Sequence, residues 1–278
     1  MASPLRALSA TLLLLAIALV NCEAKLSAIH AIGRQLSEHT QPVIPYKPKF
    51  KAGPWTKARA TFYDGSTSSF GGACDYKDVV AEGYGLNTAA VSETLFKKGE
   101  ACGACYEIKC VEDPKWCKSG SLRVTATDLC PPNPSQPSDN GGWCNPPLEH
   151  FDIAKPVFSQ LADHTAGVIP VKYRRVPCKK KGGIRFTILG NPWFNQVIVW
   201  NVGGAGDVIC LEVKGKDKGN KWIKFERDWG STWKCSAHLV GEALSFRVQT
   251  SDGKYSISSK CAPKNWQFGQ TFEGKNFK

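Results

Sequence analysis

The cysteine pattern limits how this chain can fold more than any other feature of the sequence. The chain has 12 cysteines, and eight of them crowd one stretch, at Cys74, Cys102, Cys105, Cys110, Cys117, Cys130, Cys144 and Cys178. So dense a group in an exported chain is typical of a disulfide framework. The remaining cysteines of the second half, Cys210, Cys235 and Cys261, lie far apart. One pair with a free thiol, or an intermolecular bridge, would both fit them.

The first 24 residues have the features of a secretory signal. Met1 to Ala24 begins with Arg6, continues through an apolar run at positions 7–20 and ends on a small residue, so that cleavage would also remove Cys22. No other stretch reaches the roughly 18 apolar residues needed to cross a bilayer. We therefore expect a secreted, extracellular protein without an integral membrane segment, with peripheral attachment to a membrane as the other possibility.

Charge and length predict two domains after a leader or loose arm at 25–54. Residues 55–178 have 13 Lys and Arg against 14 Asp and Glu, whereas residues 179–278 have 17 against 8. The length exceeds one typical domain, so we expect domains at 55–178 and 184–278 with a linker at 179–183. A basic extracellular domain attracts acidic polymers such as pectins rather than nucleic acid, although its charge can also serve solubility alone.

Both domains are predicted to be mainly β. Short β-type runs such as 58–63 and 122–128 alternate with loops rich in Gly, Pro and Asn, which favours a small barrel or sandwich. One helix is expected to begin at Asp152, because apolar residues follow at helical spacing at Ile153, Val157, Phe158 and Leu161. The second domain alternates apolar and polar residues without helical periodicity, which predicts two antiparallel sheets packed as an immunoglobulin-like sandwich.

Three carboxylates are candidates for acid or base chemistry on a glycosidic bond, which needs acidic groups facing one another across a groove. They are Asp64, Asp128 and Asp152. The alternative for Asp152 is an ordinary helix N-cap, which would hold the carboxylate ionised, whereas an acid catalyst needs a raised pKa. For Asp64 and Asp128 the alternative is a turn aspartate.

Other catalytic patterns are poorly supported. The pair Cys102 and Cys105 has the spacing of a redox site, but it lacks the strand-to-helix setting of one, so a structural disulfide pair is the better interpretation. The five histidines show no ligand spacing with the cysteines, so no metal or other cofactor is expected.

Aromatic residues of the second domain are the other candidate site. Trp193, Phe194, Trp229 and Trp233 lie at or near the ends of strand-like runs. Exposed flat rings stack on sugars, and several in line can follow an extended chain. Core packing is the alternative, although Trp222 is expected to project away from the core.

Several motifs, taken in their order along the chain, match those of one known family. They are Ala60-Thr61-Phe62-Tyr63, Gly71-Gly72-Ala73-Cys74, Cys102-Gly103-Ala104-Cys105, Gly141 to Pro147 with His150-Phe151-Asp152, Gly182-Gly183-Ile184-Arg185-Phe186 and Asn265-Trp266-Gln267-Phe268-Gly269. From about Trp55 to its end the chain resembles the alpha-expansins, plant proteins that loosen cell walls without hydrolysis. The resemblance implies a six-stranded double-psi β-barrel, similar to that of inverting endoglucanases, followed by a cellulose-binding β-sandwich.

The resemblance also implies roles for particular residues. Thr61, Tyr63, Asp128 and Asp152 would line a polysaccharide groove, with Asp152 in the place of the endoglucanases' general acid. Trp193 or Phe194 would form the aromatic platform with Trp229, and Trp233 is included as a candidate. The implied disulfides are Cys74–Cys102, Cys105–Cys178 and Cys110–Cys117, leaving Cys130–Cys144 as a fourth. Cellulose and matrix glucans such as xyloglucan would be the partners, in the cell wall.

The chain departs from the family pattern at several positions. Asp128 stands where alpha-expansins commonly have asparagine, and Asp64 where they have glycine, so one of these carboxylates could restore a base. Cysteines in the second domain are also unusual. The alternatives are therefore a secreted endoglucanase of the related barrel type, or a carbohydrate-binding protein with no mechanical effect.

Overall fold

A computed structural model describes residues 49–64, 72–215 and 221–277. The predicted signal segment and most of the predicted arm lie outside these ranges. Within them the strands are β1 (Thr56–Tyr63), β2 (Thr88–Ser92), β3 (Cys105–Cys110), β4 (Leu122–Cys130), β5 (His150–Ala154), β6 (Ile169–Arg175), β7 (Arg185–Asn191), β8 (Phe194–Trp200), β9 (Val208–Gly215), β10 (Ile223–Lys224), β11 (Glu226–Trp229), β12 (Thr232–Cys235), β13 (Leu244–Thr250), β14 (Tyr255–Ala262) and β15 (Thr271–Glu273). Two short α-helices accompany them, α1 (Glu93–Phe96) and α2 (Lys155–Phe158), together with 3-10 turns at Lys97–Gly99 and His164–Ala166. No helix of the described ranges is long and apolar enough to span a membrane.

The first six strands close into a barrel in the order β1-β5-β2-β4-β3-β6. Strand β1 pairs with β5 in parallel, β2 pairs with β4 in parallel, and the other neighbours are antiparallel. Apolar residues of alternate positions, including Ile108, Phe151, Ile153 and Ile169, are fully buried inside. This is the predicted six-stranded double-psi β-barrel.

The helix expected from Asp152 onward is wrong in its start and its length. Asp152 lies in the middle of β5, and α2 covers only Lys155–Phe158, with Ala154 at its N-cap. Strand pairing decides the local structure, because β5 hydrogen-bonds to β1 on one side and to β2 on the other. The apparent helical spacing joined a buried strand residue, Ile153, to the apolar face of a short helix. Asp152 is therefore not a helix cap.

The remaining strands form the predicted β-sandwich. Four strands make one sheet in the order β10-β9-β13-β14, and five make the other in the order β11-β12-β8-β7-β15. The inward residues of both sheets pack together, with Phe186 of one stacked on Phe246 of the other at 4.4 Å between ring centroids. Among the described residues of this domain there is no helix.

Four disulfides reinforce the barrel, and they are the four pairs stated above: Cys74–Cys102, Cys105–Cys178, Cys110–Cys117 and Cys130–Cys144. The bond to Cys178 anchors the chain where it leaves β6, and the bond from Cys130 holds the loop that precedes β5. Cys210, Cys235 and Cys261 are free thiols in the sandwich.

The barrel rests on the outer face of the five-stranded sheet. Ile198 of β8 belongs to the barrel's apolar cluster, and Leu189 and Trp200 pack against the same cluster. The turn between β11 and β12 also contacts the barrel, where Ser231 N donates to Cys74 O at 3.1 Å and Thr232 Oγ1 donates to Asp75 at 2.7 Å.

Candidate functional site

A single row of paired positions crosses four barrel strands. Thr61 of β1 pairs with Asp152 of β5, Asp152 pairs with Ala90 of β2, and Ala90 pairs with Asp128 of β4. Residues directly opposite in a sheet project to the same side, and here that side faces away from the buried interior. The two aspartates lie two strand spacings apart, about 10 Å between Cα atoms, with a small side chain between them. Sequence positions 61, 128 and 152 therefore share one surface.

Asp152 is held in a setting that favours its protonated form. Burial raises its pKa, the negative charge of Asp128 raises it further, and a hydrogen bond from Thr61 lowers it in part. In that bond Thr61 Oγ1 donates to Asp152 Oδ1 at 2.9 Å. Because Asp152 lies in a strand, the helix-end amides that would have kept it ionised do not act on it. It can serve as a proton donor at acidic pH.

His150 completes this group and was not predicted as a site residue. Its Nε2 lies 2.7 Å from Thr61 Oγ1, and its ring is fully buried. Burial, helped by the charge of Arg59, lowers its pKa to about 4, so the ring is neutral. Thr61 has one proton, which goes to Asp152, so His150 must donate Nε2–H to Thr61 and leave Nδ1 unprotonated. Nδ1 has no hydrogen-bond partner among the described residues.

His150 could have been found by strand periodicity. Residues two apart in a strand share a face, so His150 and Asp152 lie on one side of β5. The sequence pattern favoured a helix from Asp152 onward, which separated the two residues into different elements.

Asp128 has a structural task beside Asp152. Its Oδ1 accepts two backbone hydrogen bonds, from Ala73 N at 2.6 Å and from Leu129 N at 2.8 Å. These bonds attach the segment that leads into Cys74 to the end of β4. The backbone therefore fixes the orientation of the Asp128 carboxylate, which lies on the same surface as Asp152.

Tyr63 lies two residues beyond Thr61 on the same face of β1, whereas Asp64 does not join the group. The Tyr63 side chain hydrogen-bonds to Thr88, and burial together with the charges of Asp152 and Asp128 raises its pKa. Its phenol therefore keeps its proton and can donate to a hydroxyl. Asp64 follows the last residue of β1 and is exposed.

Three of the four candidate platform residues are exposed. Trp193 is 78 % exposed, Trp229 44 % and Phe194 36 %, whereas Trp233 is only 3 % exposed and belongs to the sandwich core. The inclusion of Trp233 as a surface ligand is wrong. Successive residues of β12 alternate between the two faces, so Trp233 points into the sandwich while Thr232 points toward the barrel.

The exposed rings are presented at two strand ends of the five-stranded sheet. Asn191 Oδ1 accepts hydrogen bonds from Trp193 N and Phe194 N at 3.0 and 3.1 Å, which shapes the turn before β8. Trp229 ends β11, and its ring lies 5.8 Å from that of Phe96 in the barrel. Because the register sets Trp229 level with Ile198, Phe194 and Trp229 lie four residues apart along the strands, about 13 Å.

Among the described residues, no group of three His, Cys, Asp or Glu side chains is arranged as metal ligands would be. The candidate residues described above are hydrogen-bonding groups and aromatic rings. Such a combination suits a polyhydroxylated chain, since hydroxyls meet the donors and C–H faces meet the rings.

Comparisons with known proteins show which sequences this chain resembles. Residues 184–263 match the family model described as the expansin C-terminal domain, and residues 88–173 match the one described as lytic transglycolase. Expansin-A32 of Oryza sativa subsp. japonica is 57 % identical over 82 % of this chain and 87 % of its own length. Expansin-A23 of Arabidopsis thaliana is 49 % identical over 80 % of each chain.

Two solved structures share the fold. The apo Clavibacter michiganensis expansin aligns with a TM-score of 0.61 at 22 % identity, covering 80 % of this chain and 97 % of its own. A mutant of the Clavibacter michiganensis expansin in complex with cellohexaose aligns equally well, with a TM-score of 0.61 at 21 % identity, covering 79 % and 96 %.

Proposed function

This chain belongs to the alpha-expansins, and we propose that it loosens plant cell walls by weakening the non-covalent adhesion between cellulose and matrix glucans without hydrolysing either. The observation that carries the proposal is the arrangement around Asp152, a partly buried carboxyl that accepts a hydrogen bond from Thr61, while the neighbouring carboxylate of Asp128 is tied to two backbone N–H groups. The protein would act outside the cell, in the wall.

The sandwich is proposed to dock the protein on cellulose. Trp193, Phe194 and Trp229 offer flat apolar surface to the C–H faces of a glucan chain. The cellohexaose complex of a bacterial relative supports a cellulose-type ligand. Xyloglucan is the proposed matrix partner at the barrel, and acidic pectins are proposed to be attracted by the basic second domain.

The barrel groove is proposed to grip one glucan strand. Protonated Asp152 would donate a hydrogen bond to a sugar oxygen, and the Tyr63 hydroxyl would bond to a neighbouring sugar hydroxyl. Each such bond replaces one between adjacent polysaccharides, so the wall can yield under load while every glycosidic bond stays intact. Acidification of the wall increases the protonated, donating form of Asp152. Because its pKa is raised, this form is populated at a higher pH than for an ordinary aspartate.

Hydrolysis by inversion needs a base that activates water opposite the acid. Asp128 is the nearest carboxylate in the groove, but two backbone N–H groups already occupy its Oδ1. A carboxylate tethered in this way is poorly placed to turn toward a water molecule. This is why the proposal assigns Asp128 to shaping the groove and not to catalysis.

A combined mechanical and chemical assay tests the proposal. Purified protein is applied to heat-killed wall strips under constant load at acidic pH, and released reducing sugar is measured on the same strips. Extension without released sugar is expected. Sugar release in step with extension would support an endoglucanase instead, and cellulose binding with neither effect would support a simple binding protein.

Replacement of Asp152 by Asn is the matching variant. It keeps the size of the side chain but replaces the strong O–H donor of a carboxylic acid with the weaker N–H donor of an amide, which carries no titratable proton, so we expect loss of extension with cellulose binding mostly unchanged. Full extension by this variant would contradict the assignment of Asp152.

A further inference from the structure

A large cleft lies away from Asp152, between the barrel and the sandwich. It has a volume of about 620 Å³, within the range of small-ligand sites. Two aromatic rings, those of Tyr84 and Trp200, contribute to its lining. Five cationic side chains surround it: Arg123, Lys179, Lys180, Lys181 and Arg185.

One of these cations, Lys180, is held in a fixed position by its neighbours. Lys180 Nζ lies 4.0 Å from the centroid of the Tyr84 ring and donates to Thr125 Oγ1 at 3.3 Å. Burial lowers its pKa to about 8, so it stays charged at acidic pH. The Tyr84 hydroxyl in turn accepts from Asn201 N of the sandwich at 3.0 Å. The position of the ammonium group is thus set by residues of both domains.

Three of the other cations in the cleft form no direct ion pair within the described ranges, although Arg123 lies opposite Glu107 in the sheet. Arg185 is paired with Glu273 at 2.9 Å. Arg123, Lys179 and Lys181 are exposed, and none of them forms an ion pair among the described residues. A cleft with converging unpaired cations attracts anions strongly, because its low-dielectric walls focus the field.

Glu82, the one acid among the described lining residues, reinforces this preference. Its Oε2 is buried without a hydrogen-bond partner among the described residues, while Oε1 accepts only a long bond of 3.4 Å from Lys77 N. Burial raises the pKa of Glu82 to about 7, so at acidic pH it is a neutral O–H donor. It then adds a donor to the cleft and no opposing charge.

We propose that this cleft binds a carboxylated sugar, a uronate unit of an acidic polysaccharide. The carboxylate would meet Lys180 and the exposed cations, and a sugar face would lie against Trp200, because the Tyr84 ring is already covered by Tyr76 and Lys180. The inference deepens the proposed attraction to acidic polymers by naming its site. It does not depend on Asp152 or on wall loosening, because the cleft and the groove use different residues.

Binding of trigalacturonate to the full protein at acidic pH, measured by isothermal titration calorimetry, tests the site. Cellotriose and inorganic phosphate serve as the neutral and the simple-anion probes. The triple variant Arg123→Gln, Lys179→Gln, Lys181→Gln removes the unpaired cations. We expect it to bind trigalacturonate about tenfold more weakly.

A charge-matched variant separates a site from general attraction. Lys221→Gln, Lys224→Gln and Lys260→Gln remove the same charge from exposed positions of the sandwich outside the cleft lining, and we expect this protein to bind within about twofold of the unaltered one. Equal weakening by the two triple variants would overturn the proposal. So would phosphate binding as tight as that of trigalacturonate, or no measurable trigalacturonate binding.

The proposed function is tested separately on the same samples. Wall extension should persist in the cleft variant, and trigalacturonate binding should persist in Asp152→Asn. Loss of trigalacturonate binding in Asp152→Asn would place the acidic sugar in the groove and contradict the cleft.

Discussion

At the scale of single residues, the chain His150, Thr61 and Asp152 shows how neutral neighbours tune an acid. The buried ring donates to the hydroxyl, and the hydroxyl donates to the carboxylate, across 2.7 and 2.9 Å. The last bond stabilises the charged form of Asp152, whereas burial and Asp128 stabilise the neutral form and prevail. The hydroxyl of Thr61 therefore limits how far the pKa of Asp152 is raised.

Removal of the Thr61 hydroxyl should shift the pH dependence of wall extension to higher pH. Thr61→Val deletes the donor, so the pKa of Asp152 should rise further, and the protonated form should persist to higher pH. We expect the midpoint of wall extension to shift upward by up to about one pH unit, with Thr61→Ser restoring the original profile. Extension measured from acidic to neutral pH checks this. A midpoint that stays in place, or moves to lower pH, would contradict the role of Thr61.

At the scale of elements, positions on β11 and β12 decide which tryptophan is exposed and which is buried. Trp229 ends an outer strand of the sheet, whereas Trp233 alternates inward from the adjacent strand. Arg227 lies over the Trp233 ring at 4.4 Å, which covers the indole further. Strand position, and not residue type, assigns one ring to solvent and the other to the core.

Alanine substitutions should reveal this division in two different measurements. Trp193→Ala and Trp229→Ala remove exposed rings, so each should weaken cellulose binding about fivefold or more with little change in thermal unfolding. Trp233→Ala opens a cavity in the sandwich core and should lower the free energy of unfolding by about 3 to 5 kcal/mol. Pull-down on cellulose and thermal denaturation check both effects. A stable Trp233→Ala protein with weakened binding would reverse the assignment.

At the scale of the whole molecule, the turn between β11 and β12 connects the two candidate surfaces. Gly230 has a φ of +52°, and a Cβ added there would lie 2.6 Å from Ala73 O and 2.8 Å from Cys74 Cα. Ala73 N also donates to Asp128 in the groove. The sandwich turn therefore presses on the same barrel segment that shapes the groove, one residue from the platform ring of Trp229.

Gly230→Ala should disturb the contact between barrel and sandwich. Gly241→Ala is the matched control, because Gly241 has a φ of +82° but open space around it. Both variants carry the backbone cost of about 1 kcal/mol for a side chain at positive φ, and only the first adds a clash with the barrel. We expect reduced wall extension and a lower melting temperature for Gly230→Ala than for Gly241→Ala, with cellulose binding similar. Equal behaviour of the two would show that this contact does not matter.

Much of the architecture was accessible from local patterns. Alternating apolar residues predicted the strands of both domains, and the cysteine-rich stretch predicted a disulfide-bonded first domain. The helix at Asp152 failed because its spacing argument used Ile153, which belongs to a strand held on both sides by distant partners. His150 was missed for the same reason, and Trp233 was misplaced because sequence alone did not show which face of β12 the barrel covers.

The amino-acid sequence by itself determined most of the strands, the division into a neutral and a basic half, and the set of acidic and aromatic residues from which a sugar-binding site can be built. Only the tertiary structure decided what those residues do. Parallel pairing of β1 with β5 brings Thr61 to Asp152 across 91 positions, and burial at that junction raises the pKa of the carboxyl. Apolar periodicity in the sequence reflects only residues that are close along the chain. The protonation and exposure of a side chain depend instead on which distant strands exclude water from it.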